Sequence, residues 1–456
     1  MKYYSTRNCD KQYSFAEVVL QGLAPDGGLL VPASLPSLTP SALNGQSYQA
    51  VAEQLFTPFM APDFSVTEVA ALVAQSYRNF TVADVVQSKE LKDCTVLELF
   101  HGPTLAFKDI ALQFLGRVLN ELLQQHDEHC VVLGATSGDT GGAAIAALDH
   151  MARCQVFMLY PKGRVSLVQE AQMNRRVGDN IFPLELEGSF DDAQHLVKAT
   201  FSDPDFRRAV KLTAVNSINW CRVMAQMTYY AHAVKGRERP SQGAVSFAVP
   251  TGNFGDVLAG YYVQRMGFPI DKFIVACNEN DLIARFSASG VYRPNPSLAT
   301  LSPAMDIQVA SNFERLLFEL CGRDSDYINT KMEQLRLNGE FSVEPEILAK
   351  FHQSFEVYAI SNDETAAIMR ETAADGYLVD PHTAVGIAAR RRSALPDVIA
   401  LATAHPLKFS ELVTQVTGQA LPLTPALESL VEQPKRCFTL VNQQSKLQEF
   451  ILSRCQ

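Results

Sequence analysis

The chain has 456 residues, 47% apolar and 19% charged, a globular balance that excludes disorder over most of its length and suggests roughly three units of about 150 residues, or two with an extension. Its formal net charge of −10 argues against non-specific nucleic-acid binding, which draws on a basic surface, yet leaves room for a small anionic substrate in a locally basic pocket. No apolar run approaches the ~18 residues of a membrane-spanning helix.

In chain order, MKYYSTRNCDKQYSF lacks the apolar stretch of a signal peptide and is poor in Arg, so a cytoplasmic protein is expected. The nine cysteines form no CxxC pair and are odd in number, which fits neither a disulfide framework nor a zinc site; no metal is expected. A turn at Gly27-Gly28 is followed by helical spacing of apolar residues between Ser47 and Phe80, such as Val51, Leu55, Val69, Leu72 and Val73. A loose boundary is placed after residue 93, before a strand over Val96–Phe100. Ile110, Phe114, Val118 and Leu122 then mark one helix face. Strand-like runs follow at 130–134, 156–160, 244–249, 273–277 and 398–400, alternating with helices. That order favours a parallel sheet covered on both faces, with ligands beyond the carboxyl ends of the strands.

Several strand-to-helix segments could carry chemistry. In His101-Gly102-Pro103-Thr104-Leu105-Ala106-Phe107-Lys108-Asp109, Lys108 sits beside an aromatic residue at a helix start. Desolvation and the helix dipole both favour its neutral, nucleophilic form. Taken alone, Lys108 reads as a surface lysine and Asp109 as a helix-start carboxylate. Thr136, Ser137, Gly138, Asp139 and Thr140 lie in a glycine-rich turn whose N–H groups could cradle an anion, though tight turns without a ligand share that composition. Gly252, Asn253, Phe254, Gly255 and Asp256 form a similar turn; Asp256 is expected to cap the helix with its side chain. Neither turn is a nucleotide P-loop or a dinucleotide fingerprint. Thr403, at a strand end, offers a hydroxyl that can bond a ring nitrogen, and His405 before Pro406 is expected to be a fixed turn residue. Lys162 and Arg164, with Asn216, Ser217 and Arg222, bring cations and amides to two further element ends.

Together these segments resemble threonine synthase, a pyridoxal-phosphate enzyme family of fold type II, the tryptophan-synthase-β class. The match runs from Tyr3 to about Phe409 through YYSTRN, HGPTLAFKD, GATSGDTGGAA, YPKGRVS, AVNSINWCR, VPTGNFGDVLAGYY, SPAMDIQVASNFERLLF, DPHTAVG and LATAHPLKF. Departures are small: Gly142 and Cys221 stand where other small residues are expected. The resemblance implies an α/β fold of two lobes, each a parallel or mixed sheet flanked by helices, plus a mainly helical N-terminal extension. The expected units are 1–93, 94–205 and 206–456. It also implies pyridoxal 5'-phosphate held by Lys108 as a Schiff base, with Gly252, Asn253, Phe254, Gly255 and Asp256 around its phosphate and Thr403 at its ring nitrogen. The substrate carboxylate falls to Thr136, Ser137, Gly138, Asp139 and Thr140. Lys162, Arg164, Asn216, Ser217 and Arg222 are expected around the rest of the substrate, with the three cations at its phosphate. The implied reaction converts O-phospho-L-homoserine and water to L-threonine and phosphate. A phospholyase releasing phosphate and a 2-oxo acid is the alternative, and a monomer or homodimer without nucleic-acid or membrane partners is expected.

Overall fold

The computed structural model describes residues 1–236 and 244–455. The N-terminal segment is mainly helical, as expected. The apolar spacing between Ser47 and Phe80 resolves into two helices, Tyr48–Met60 and Val66–Tyr77. Ser65 starts the second: its hydroxyl accepts from Glu68 N–H while Glu68 reaches back to its backbone, a capping box. A three-stranded antiparallel sheet of Asn8–Tyr13, Tyr3–Ser5 and Leu30–Pro32 was not anticipated. Two of its strands have only three residues, too few for alternation to show.

Two larger sheets form the body. The first has six strands in the spatial order Phe355–Ala359, Ile270–Cys277, Val245–Pro250, Val398–Ala402, Thr95–Glu98 and Gln87–Glu90. It is parallel except for its last, antiparallel edge strand. The second is fully parallel, in the order Phe438–Leu440, Ile181–Leu186, Cys154–Pro161, Cys130–Ala135 and Leu212–Thr213. Strand membership crosses the expected segment limits. Gln87–Glu90 and Thr95–Glu98 join the sheet built mostly after residue 206, whereas Leu212–Thr213 and Phe438–Leu440 join the sheet built mostly between 94 and 205.

Helix Lys108–Gln125 buries the expected face of Ile110, Phe114, Val118 and Leu122. The apolar core around it is continuous from Tyr3 and Phe15 through Phe56 and Phe114 to Phe247 and Phe273, so the N-terminal segment packs on the body rather than standing apart. Among the described residues no helix is long and apolar enough to cross a membrane, and no cluster of three or more His, Cys, Asp or Glu could hold a metal.

Candidate active site

Because strands within each sheet run parallel, the segments that follow them emerge together at the carboxyl ends. Lys108 is the first residue of the helix that follows Thr95–Glu98, and its side chain is only 12% exposed. The turn before it is stitched to the end of a neighbouring strand: Phe107 N–H donates to Thr403 O (2.8 Å), and His405 N–H donates to Leu105 O (3.0 Å). Thr403 is thereby fixed beside the Lys108 turn. His405 is the fixed turn residue expected, its Nδ1 accepting from Leu407 N–H.

Asp139 comes from the other sheet, in the first turn of helix Asp139–Leu148. Its Oδ2 lies 3.3 Å from Lys108 Nζ; its Oδ1 accepts from Gln169 Nε2 (2.9 Å) and lies 3.3 Å from Lys408 Nζ. Burial alone would raise the Asp139 carboxyl, but Lys108, Lys408 and His382, with the Gln169 hydrogen bond, hold it well below the usual carboxylate range. Burial pushes the Lys108 amine below the ordinary lysine value. Asp139 opposes that shift, and the like charges of Lys408 and Arg222 reinforce it. Asp109 does no such work: Thr104 N–H and Oγ–H both donate to it, and burial raises it to about 6.

Thr136 closes the glycine-rich turn, its hydroxyl accepting from Gly138 N–H and Gly141 N–H. Gly138 has φ +140, and a Cβ there would come within 2.4 Å of the Gln169 side chain, so only glycine fits. Ser137 and Thr140 are half-buried beside it.

The second glycine-rich turn ends in Phe254, whose φ of 62° is left-handed. Its ring, buried between Phe313 and Phe355, holds that conformation. Helix Gly255–Arg265 therefore begins without a side-chain cap, leaving its first N–H groups to an anion. At Gly252 a Cβ would meet Ala304 O at 3.0 Å, so the backbone lies bare against the 303–307 turn. Asn253 O accepts from Asn312 N–H (3.0 Å), and its Oδ1 accepts from Ser311 Oγ.

Asp256 does not cap this helix, contrary to expectation. Its Oδ1 accepts from the hydroxyls of Tyr229 (2.5 Å) and Tyr230 (2.7 Å), which project from the adjoining helix Trp220–Val234. A carboxylate turned into a helix interface cannot reach its own first turn. Burial raises it to about 6, against the two tyrosine hydrogen bonds and the nearby Lys108.

Arg222 is 3% exposed; one guanidinium N–H donates to Val215 O, and burial pulls it down to about 10. Among the described residues, Arg222 Nε and Asp256 Oδ2 are buried without a hydrogen-bond partner. Arg222 also acts electrostatically on Lys108, and its orphaned cation fits a site completed by an anionic ligand. Lys162 and Arg164 are exposed after strand Cys154–Pro161, where they act on Glu185 and Asp192. Asn216 is exposed and Ser217 half-buried; Ser217 O accepts from Asn312 Nδ2.

The segments holding Lys408, Asn312 and Arg315 belong to the family resemblance, but nothing in their local sequence assigns these residues a role. A charged residue inside the apolar run Pro406-Leu407-Lys408-Phe409 was the available signal for the first. Lys408 is fully buried.

Three family models match: threonine synthase N terminus over residues 2–77, pyridoxal-phosphate dependent enzyme over 87–400, and threonine synthase, C-terminal, over 383–451. A threonine synthase of Pseudomonas aeruginosa is 42% identical, covering 99% of this chain and 98% of its own. The crystal structure of a PLP-bound threonine synthase from Brucella melitensis superposes with a TM-score of 0.95 at 41% identity, covering all of both chains. A yeast threonine synthase structure gives 0.93 at 36% identity, covering 99% and 98%. Matches of this extent across all three segments mean that the chain belongs to the threonine synthase family of pyridoxal-phosphate-dependent enzymes.

Proposed function

We propose that this chain is a threonine synthase, converting O-phospho-L-homoserine and water to L-threonine and inorganic phosphate with pyridoxal 5'-phosphate as cofactor. One observation carries the reading: a desolvated lysine faces a carboxylate from the opposite lobe, beside an uncapped helix start.

The residues present suit that cofactor. Lys108 would hold it as a Schiff base, and the N–H groups of Gly252, Asn253, Phe254, Gly255 and Asp256 would receive its phosphate. Thr403 would offer a hydroxyl to the ring nitrogen without requiring that nitrogen to be protonated. When bound, the cofactor supplies an electron sink for the pair left at the substrate α-carbon. Lys108 Nζ takes and returns protons within the site, a task that the downward shift of its amine by burial assists. The turn of Thr136, Ser137, Gly138, Asp139 and Thr140 receives the substrate α-carboxylate through backbone N–H groups and hydroxyls. The Asp139 side chain takes no part in that contact, because two lysines and Gln169 occupy it.

Arg222, with an unpartnered Nε, is the favoured cation for the substrate phosphate. Lys162 and Arg164, with Asn216 and Ser217, would join it from exposed positions as the lobes close and exclude water. Three sequence units are proposed: 1–93, 94–205 carrying Lys108 and the carboxylate turn, and 206–456 carrying the phosphate turn. Strands exchanged between the last two, with Gln87–Glu90 from the first, complete their sheets. A cytoplasmic monomer or homodimer is proposed.

The test is the product balance from O-phospho-L-homoserine with cofactor-loaded protein. Threonine and phosphate formed one for one are expected. Phosphate with 2-oxobutyrate and ammonia would overturn the synthase reading in favour of a phospholyase.

A further inference from the structure

Lys408 is a buried cation to which the proposed chemistry assigns nothing. It lies in the short turn Pro406–Phe409 after strand Val398–Ala402 of the larger sheet, with no solvent exposure. An ammonium has three N–H donors. Here two of them donate to Thr104 O (2.7 Å) and Gln172 Oε1 (2.7 Å), and the charge pairs with Asp139 Oδ1 at 3.3 Å. Its backbone carbonyl accepts a fourth contact, from Ser166 Oγ (2.7 Å). Ser166 caps helix Leu167–Asn174, which carries both Gln169 and Gln172. Gln172 Nε2 also donates to Thr104 O, and Thr104 is the residue that satisfies Asp109. One turn of the larger sheet thus grips the Lys108 turn on one side and the Asp139 lobe on the other.

Lys108 is placed differently. Its Nζ meets Asp139 Oδ2 at 3.3 Å and lies 5.0 Å from the Phe107 ring centroid. It is free to leave its carboxylate, and it does so whenever its nitrogen is engaged elsewhere. Asp139 would then be a buried carboxylate with no cation on Oδ2. Lys408, held by two hydrogen bonds and its ion pair, stays.

We propose that Lys408 is a positioning residue for Lys108. It keeps Asp139 ionised and in place throughout turnover, and it ties the Asp139 lobe to the Lys108 turn while the Lys108 nitrogen comes and goes. The charged or titratable groups facing this cluster are Asp109 beside Lys408, His382 beside Asp139, and Arg222 and Asp256 beside Lys108. All remain in the variants below, so a difference between variants reports on Lys408 and Asp139.

The proposal rests on Lys108 being the working lysine but not on the identity of the substrate. The test therefore reads Lys108 directly, by the pH midpoint of the cofactor absorbance band in holoenzyme and by the pH dependence of Lys108 labelling with an amine reagent in cofactor-stripped full-length protein. Removing the Lys408 charge takes away the cation that keeps Asp139 ionised and placed against Lys108, an effect larger than the loss of one like charge near Lys108. In Lys408→Met both midpoints are therefore expected to fall by about one unit, a roughly tenfold rise in labelling rate at a pH below the midpoint. The activity of holoenzyme at full cofactor occupancy falls with them. In the Asp139→Asn background there is no anion to lose and the same Lys408 substitution removes only a like charge, so the midpoint is expected to rise rather than fall.

Lys408→Gln, which keeps polar contacts without the charge, guards against a folding defect and should follow Lys408→Met. Unchanged midpoints in both Lys408 variants overturn the proposal, as do equal shifts in the two Asp139 backgrounds. If every Lys408 variant fails to fold, with Asp139 intact or replaced, the lysine is purely structural and the proposal is overturned. If Lys108 labels normally and shows the expected shift while O-phospho-L-homoserine is not turned over, the inference stands and the substrate assignment fails.

Discussion

Asp139 Oδ2 lies 3.3 Å from Lys108 Nζ, so two helix starts that follow strands of different sheets meet in one ion pair. The pair opposes the shift that burial imposes on the lysine. Burial favours the neutral amine, and Asp139 is the group that opposes it. In Asp139→Asn the charged amine loses that support, and the pH midpoint of Lys108 should fall by about 1 unit or more. Titration of the cofactor band, or of Lys108 labelling, reads the shift, and a rise would show that Asp139 does not act as the countercharge. Acid stability moves as well. The folded carboxyl is held below its ordinary value of 3.8, so its stabilising contribution is present above that pH and is lost as pH falls toward the folded value. The Asn variant should lack that acid-side loss.

Asp256 predicts the opposite sign. Its carboxyl is raised from 3.8 to about 6 by burial, so the folded state binds the proton more tightly than the unfolded chain. Stability from this group is greatest below 3.8 and declines as pH rises to about 6, where the buried charge must form. Asp256→Asn keeps an oxygen for the Tyr229 and Tyr230 hydroxyls and carries no charge. Its stability relative to the parent should improve by on the order of 2–3 kcal/mol between pH 4 and pH 7. Urea unfolding of both proteins at the two pH values measures this, and Asp109, present in both, cancels. A difference independent of pH would mean that Asp256 stays neutral, or stays ionised, throughout that range.

The turns around Lys108, Gly138 and Gly252 were legible in the sequence because local rules wrote them. Strands end, small residues follow, and a helix begins. The partners that give those turns their chemistry lie far away in sequence. Lys408 is 269 positions from Asp139, and Tyr229 is 27 from Asp256. No periodicity encodes such distances. Asp256 shows the cost: its place in a first helical turn predicts a cap, and only the packing of the neighbouring helix shows that its side chain is engaged elsewhere. The three-residue N-terminal strands were lost for another reason, since alternation needs more residues than they have.

Arg222, Lys162 and Arg164 were grouped by charge, and burial separates them. Arg222 is 3% exposed with an orphaned Nε, whereas the other two are exposed. Arg222→Ala is expected to raise KM for O-phospho-L-homoserine by about 10–100-fold, the value of one or two charge-assisted hydrogen bonds, and to leave the cofactor band intact. Lys162→Ala and Arg164→Ala should each raise KM less than tenfold, since a screened, flexible cation contributes ~1 kcal/mol or less. Steady-state kinetics with absorbance spectra decide it. A normal KM in Arg222→Ala would remove Arg222 from the phosphate site.

Arg315 links the N-terminal segment to the turn proposed to receive the cofactor phosphate. It is fully buried, and its guanidinium donates to Leu30 O (2.8 and 3.2 Å), Ile218 O (2.6 Å) and Asn312 Oδ1 (2.7 Å). Asn312 in turn donates to Asn253 O through its backbone N–H (3.0 Å) and its side chain (3.2 Å). A lysine carries the charge but cannot spread it over three directions. Arg315→Lys should lose two or three charge-assisted bonds and cost about 3–5 kcal/mol in urea unfolding. It should also release Asn253, so the cofactor should dialyse away faster. Arg323 supplies the comparison. It too ties down the N-terminal segment, through Tyr4 Oη, Pro32 O and Ala33 O, but its other partner is Glu319, away from the cofactor turn. Arg323→Lys should therefore destabilise the fold and leave cofactor retention, measured in the native protein, unchanged. Equal loss of cofactor from both variants would mean that N-terminal docking as a whole, rather than the path from Arg315 through Asn312 to Asn253, holds the phosphate turn.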